Sequence, residues 1–145
     1  MISLKWWLRA VGAFYVLQFV MMAVVRAPIQ AQGPAGTLER YAAGDALAGF
    51  VVETWVFFGL QVGATGVAML LASRSAEQAR WLAWAAIATE FGRGIAADFW
   101  VMSRGTTPAG LLWTWLVIHS VVIVTGWLAL RPSSRAGRAV APVRP

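Results

Sequence analysis

The side chains able to do chemistry in this chain are few, and most of them lie inside apolar stretches. Glu53 and Gln61 fall in one such stretch, Glu90, Arg93 and Asp98 in another, and His119 with Ser120 and Thr125 in a third. Tyr15 and Gln18 belong to a fourth, nearest the N-terminus. An ionisable group at mid-helix in a bilayer costs roughly 2.5–3.5 kcal/mol on insertion scales, so each one calls for a partner or a task. Glu90 and Arg93 are spaced i,i+3, which places them on one helix face and predicts an ion pair. Glu53 has no such neighbour in its own stretch; Arg93 or His119 across a bundle would serve. Asp98, near the outer end of its stretch, is expected in solvent or paired with Arg104. Carboxylates and an imidazole at one depth support proton exchange near neutral pH, with Glu53 and His119 as the candidate acid–base pair.

Other chemistries fit poorly. Ser120 adjoins His119, but adjacent residues on a helix point about 100° apart, which rules against a Ser–His–acid triad. The chain has no Cys, which removes disulfides, thiol nucleophiles and cysteine-ligated metals. Glu53, Glu90 and His119 lack the repeated Glu-x-x-His pattern of carboxylate-bridged metal bundles, and Arg93 would repel a cation. A single His is thin support for haem. No metal and no cofactor is therefore expected. Gly59, Gly63 and Gly66 have the wrong spacing for a phosphate loop; as small residues within a helix they predict a packing seam, turned away from Glu53.

These residues must be positioned by the elements around them. The chain has 145 residues, 59% hydrophobic and 12% charged, with a mean hydropathy of +0.66. A soluble domain is nearer one-quarter charged. Four stretches, about 6–25, 47–72, 81–102 and 111–130, each supply the roughly 20 residues that cross a hydrocarbon core. Backbone polar groups must be paired within a span, so the stretches are expected to be helices. The sequence thus predicts an all-α domain over residues 1–131, an antiparallel bundle of four transmembrane helices, followed by a disordered basic tail at 132–145. The first stretch is longer than the apolar core of a signal peptide and lacks a clear cleavage site, so it reads as a retained helix.

Eight of the twelve Lys and Arg flank the ends on one side: Lys5, Arg9, Arg74, Arg80, Arg131, Arg135, Arg138 and Arg144. Arg26, Arg40 and Arg104 flank the other. This bias predicts cytoplasmic N- and C-termini and accounts for the +6 charge without nucleic acid. Trp6, Trp7, Trp81 and Trp127, and at the other end Trp100, Trp113 and Trp115, suit interfacial belts. The first outer loop holds a helix start at Thr37, read as an N-cap with Glu39 and Arg40 behind it, so a short interfacial helix fits there.

With this topology Glu53, Glu90, Arg93, His119 and Gln18 reach one layer, with Trp55 and Trp115 nearby. Gly94 and Ala97 leave room beside the charges of the third helix. The expectation is a polar intramembrane pocket for a small hydrophobic or amphipathic molecule, aromatic compounds included. The expected partners are thus the bilayer and that ligand, with a homo-oligomer as an option. Three alternatives remain open: a dimeric proton-coupled transporter, a membrane isomerase or redox-complex subunit using Glu53 and His119, and a structural assembly factor in which the charges only set helix register.

The segments Trp6–Tyr15, Arg26–Gly33, Gly36–Arg40 and Glu90–Gly94 resemble the BphX-like family of small bacterial integral membrane proteins, with a looser similarity to DoxX-like proteins. The resemblance covers most of residues 5–130. It implies a bacterial inner membrane and, because some members are encoded beside aromatic-degradation genes, a link to aromatic compounds. The family has no established activity, so it assigns no residue a role.

Overall fold

In a computed structural model the protein is described over residues 2–32, 35–105 and 109–131. The expected tail at 132–145 lies outside them. Helix α1 covers Leu4–Phe19 and continues as a π-helical stretch, Val20–Val24. Two short helices follow, α2 (Ala27–Gln32) and α3 (Thr37–Ala42), and then the long α4 (Ala46–Ala72). A third rod is built from α5 (Arg80–Thr89), a π-helical stretch Glu90–Ala96, and α6 (Ala97–Arg104). Helix α7 (Ala109–Leu130) closes the described chain. Among the described residues there is no strand.

Three of these stretches, Leu4–Val24, Ala46–Ser75 and Ala109–Leu130, are long and apolar enough to cross a membrane. The third rod, expected as a fourth span, falls short on apolarity because Glu90, Arg93 and Asp98 lie inside it.

Contacts between rod ends fix their directions. Arg9 near the start of α1 donates to Ser73 Oγ just past the end of α4, at 3.3 Å. Trp7 Nε1 donates to Thr125 Oγ1 near the end of α7, at 3.1 Å. Arg80, the first residue of α5, donates to the Leu130 carbonyl at the end of α7. So α1 and the third rod run one way, and α4 and α7 the other. The buried core sits where α1 meets α4, α5 and α7, with Trp7, Leu8, Tyr15, Val62, Met69, Ala83 and Val122 inside. Trp7, expected in an interfacial belt, is 3% exposed and belongs to this core.

Helices α1 and α4 approach closely. A Cβ placed on Gly66 would lie 2.6 Å from the Gly12 carbonyl oxygen, and one on Gly63 would lie 2.7 Å from Phe19 Cβ. Gly59 meets Met22 in the same way at 2.9 Å. The seam read from the glycine spacing thus meets backbone at Gly66 and the Cβ atoms of Phe19 and Met22 at Gly63 and Gly59, which leaves no volume for a side chain. Gly66→Ala is expected to cost about 1–3 kcal/mol through overpacking, because the obstructing atoms are backbone and cannot swing aside. Unfolding in detergent with wild-type stability for this variant would contradict the seam.

The short helices differ from their expected capping. Thr37 is the first residue of α3, and Gly36, at φ 76°, takes the cap position in the left-handed region. A stronger cap stands at the next helix. Asp45 accepts the Ala48 N–H at 2.9 Å and is bonded by Arg40 at 2.7 Å. The Ala48 bond first, and Arg40 second, hold the Asp45 carboxyl below the usual aspartate range. A lowered carboxylate contributes stability that is present above its unfolded value and lost as pH falls through the lowered one. Hydrogen exchange at Ala48 should therefore accelerate only in that acid window. Asp45→Asn, which keeps a capping oxygen, should abolish the pH dependence.

Candidate functional site

Halfway along the rods four polar side chains form a line. Tyr15 of α1 donates its hydroxyl hydrogen to Glu90, and the other Glu90 oxygen meets His119 Nδ1 on α7. Glu90 is 2% exposed. On the far side of the imidazole, His119 Nε2 stands 3.6 Å from Asp98 Oδ2. Both ring nitrogens face carboxylates, with the Nε2 contact beyond hydrogen-bond reach. Because the carboxylates occupy opposite edges of the ring, they do not converge on one ion. Among the described residues no three metal-binding side chains do.

Glycine makes room for the ring. A Cβ on Gly94 would lie 2.5 Å from His119 Cγ and Nδ1. Trp115, one turn before His119 on α7, stacks on the imidazole at 5.9 Å between centroids and 28° between planes.

Beside this line is a cavity of about 270 Å³, and all four rods line it. Helix α1 and its π-helical extension contribute Gln18 and Met22, and α4 contributes Trp55 and Phe58. The third rod contributes Arg93, Ala97, Asp98 and Val101, and α7 contributes Leu112, Trp115 and His119. Arg93 lies over the Phe58 ring, 4.1 Å from its centroid, a cation–π contact.

Of the residues expected to share a pocket, Gln18, Trp55, Arg93, Trp115 and His119 line this cavity, and Glu90 stands behind it through His119. Glu53 does not join them. It is exposed on α4, and among the described residues it makes no hydrogen bond or ion pair with Arg93 or His119. The reason is helical phase. Glu53 is two residues from Trp55, a rotation of roughly 160° between their directions, so with Trp55 inward Glu53 is outward. The acid–base pair of Glu53 with His119 is therefore not assembled; Glu90 bonds the imidazole instead, and Asp98 stands across from its far edge.

The expected Glu90–Arg93 ion pair is also missing among the described residues. The i,i+3 rule applies to an α-helix, whereas Glu90–Ala96 is π-helical and i→i+5 bonding spreads the turn. Glu90 turns to Tyr15 and His119, while Arg93 turns to Phe58. The same stretch recruits Asp98, which was expected in solvent or with Arg104. Eight residues after Glu90, Asp98 would sit roughly 80° away on an uninterrupted α-helix. A π turn takes up one extra residue, so Asp98 stands where the seventh would, within about 20° of Glu90.

Sequence reasoning singled out Tyr15 and Asp98 as polar residues without placing them in the site, and it missed Phe58. Tyr15 could have been placed there from its i,i+3 spacing to Gln18, which puts both on one face of α1.

The BphX-like family profile matches residues 1–135 of this chain. The chain belongs to the BphX-like family. No curated protein and no solved structure matches it. Three of the four stretches that carry the BphX-like resemblance reach this architecture directly. Trp6–Tyr15 holds the Trp7 core contact, Gly12 of the seam and the Tyr15 hydroxyl, and Glu90–Gly94 holds the buried carboxylate, the cavity arginine and the glycine beneath His119. Gly36–Arg40 supplies the left-handed turn and the arginine that bonds Asp45.

Proposed function

We propose that this BphX-like chain is a four-span protein of the bacterial inner membrane that binds a small amphipathic aromatic molecule in the cavity. The observation that carries this reading is the cavity itself. All four rods line it, and a cation, an amide and three aromatic rings converge there. An engineered apolar cavity of about 150 Å³ binds benzene. A cavity of about 270 Å³ therefore suits a single substituted ring.

The surface supports the membrane. Helices α4 and α7 are mostly apolar, Glu53 being the exposed exception on α4, and their outward faces carry Phe50, Phe57, Trp113 and Val117, all more than half exposed. Such faces suit lipid rather than water. Basic and aromatic residues pair at both ends: Arg9 with Trp6 and Arg131 with Trp127 at one, Arg104 with Trp100 and Arg26 with Tyr41 at the other. The third rod takes the fourth span. Its 25 residues from Arg80 to Arg104 make roughly 37 Å of helix, and its three internal charged residues face His119, Phe58 or the cavity rather than lipid. The excess of Lys and Arg at the end shared by Lys5, Arg9, Arg74, Arg80 and Arg131 puts both termini in the cytoplasm.

The test is saturable binding of para-fluorotoluene and para-fluorophenol to the full chain in lipid nanodiscs, followed by fluorine NMR with protein-free discs as the partition control. Ala97→Leu, which fills the cavity without removing a polar group, should weaken binding at least about tenfold. Glu53→Gln, remote from the cavity, should leave it unchanged. Failure of both probes to bind saturably, or equal loss in the two variants, would end this reading.

A further inference from the structure

Eleven of the twelve Lys and Arg lie near or beyond the ends of the apolar stretches, and Arg93 is the twelfth, inside the third rod. A charge in that position is ordinarily paired. Among the described residues Arg93 makes no ion pair and no hydrogen bond; its contact is the face of Phe58. An aromatic ring attracts a cation but offers no lone pair, so the five N–H donors of the guanidinium stay unmatched. They are also open. Among the described residues the sealed, unbonded side-chain atoms are Gln18 Oε1 and Asp98 Oδ2, and no Arg93 nitrogen is one of them. Arg93 is half-buried, and the space it lines is the cavity.

Ligand chemistries differ in what they bring to this cation. Asp98 lines the same cavity but does not serve it, since its Oδ2 stands across from His119 Nε2 and no ion pair joins it to Arg93. An ammonium would be repelled by the guanidinium, and a plain hydrocarbon leaves it unmatched. A hydroxyl, an ether or an amide carbonyl brings the lone pairs of one oxygen and no charge. A carboxylate brings two coplanar oxygens that match the guanidinium fork, and it cancels the charge. A dianion would exceed what one arginine cancels, with the carboxyl groups of Glu90 and Asp98 already nearby.

Resting on the aromatic-cavity reading above, we propose that the ligand is an aromatic monocarboxylate anchored by Arg93. The carboxylate accepts two parallel N–H bonds from the guanidinium, and Trp55, Phe58 and Trp115, which line the same cavity, hold the ring. Phe58 has a second task, since its face keeps the guanidinium at the cavity wall before the ligand arrives. Binding turns a lone cation among the rods into a neutral pair. A ligand that recognises the folded chain in this way also stabilises it.

The experiment uses para-fluorobenzoate, its uncharged isostere para-fluorobenzamide, and para-fluorotoluene as the ring alone. Each is titrated at neutral pH against the full chain in nanodiscs and read by fluorine NMR, with affinities referred to the free aqueous probe. The benzoate should bind at least about tenfold more tightly than the benzamide, the margin of a charge-assisted bond over a neutral one. Arg93→Met should remove that margin, lowering benzoate affinity at least about tenfold while leaving toluene within about twofold. Arg93→Lys, which keeps the charge but not the fork, should fall between. Benzoate should also raise the unfolding temperature of the wild-type chain and not that of Arg93→Met. Should Arg93→Met fail to fold, Arg93→Lys and the comparison of probes on the wild-type chain decide. Equal affinity for benzoate and benzamide, or equal losses of benzoate and toluene in Arg93→Met, would overturn the inference and leave the aromatic-cavity reading standing. So would saturable binding of toluene without benzoate. Saturable binding of none of the three, nor of para-fluorophenol, would remove the aromatic-cavity reading as well.

Discussion

Glu90→Ala is expected to destabilise the folded chain by about 3–5 kcal/mol, the combined cost of two buried polar groups losing their acceptor and of the cavity left behind. Glu90 is 2% exposed and serves two groups at once, the Tyr15 hydroxyl and His119 Nδ1. Alanine leaves both buried with no acceptor, and a void where the carboxyl stood. Glu90→Gln should be much milder, within about 1–2 kcal/mol, because the amide still accepts from Tyr15 and can donate to an unprotonated His119 Nδ1. Tyr15→Phe removes one bond of the line without orphaning the carboxylate, since His119 remains, and should cost about 0.5–1.5 kcal/mol. Reversible unfolding in mixed micelles measures all three. If alanine proved as well tolerated as glutamine at position 90, Glu90 would not be the node that joins α1 to α7.

Gly94→Ala is the second large effect, and it falls on the site rather than on the fold as a whole. The added methyl would lie 2.5 Å from the His119 ring, so the imidazole must move. Moving it breaks the contacts to Glu90 and Asp98 together and shifts the stacked face of Trp115. Binding of para-fluorophenol should fall at least about tenfold, and overpacking should cost about 1–3 kcal/mol. Gly92→Ala is the internal control. Two residues away in the same π-helical stretch, Gly92 has nothing within 4 Å of a Cβ. The methyl there should be neutral, or stabilising by up to about 1 kcal/mol, since alanine restricts the unfolded chain more than glycine does. Equal outcomes for Gly92→Ala and Gly94→Ala would mean that the backbone beneath His119 does not set its position.

The pairing of the two glycines shows why the site was only partly legible beforehand. Gly94 was recognised as space beside the charges of the third rod, but what fills that space is decided by α7, a distant part of the chain. Glu53 makes the same point in reverse. It is an acidic residue within an apolar stretch and was expected in the pocket and in an acid–base pair with His119, yet the seam of Gly59, Gly63 and Gly66 against α1 sets the rotation of α4 and turns Glu53 outward. Trp55 and Phe58 are turned to the cavity by that same rotation.

The π-helical stretch at Glu90–Ala96 accounts for the other differences. One residue absorbed in the turn separates Arg93 from Glu90 and brings Asp98 under His119. A reading at 100° per residue is out of phase by about 100° past that point.

The sequence by itself determined the apolar stretches, their helical form, the charge bias between the ends and the small set of polar residues at mid-depth. These follow from composition and local periodicity, because burial of backbone polar groups and the cost of intramembrane charge act on each segment alone. Only the tertiary structure decided which of those polar residues meet. Their meeting depends on the rotation of each rod about its own axis, which close packing at glycine seams and a single extra residue in one turn control. Neither leaves a periodic trace in the segment whose side chains it redirects.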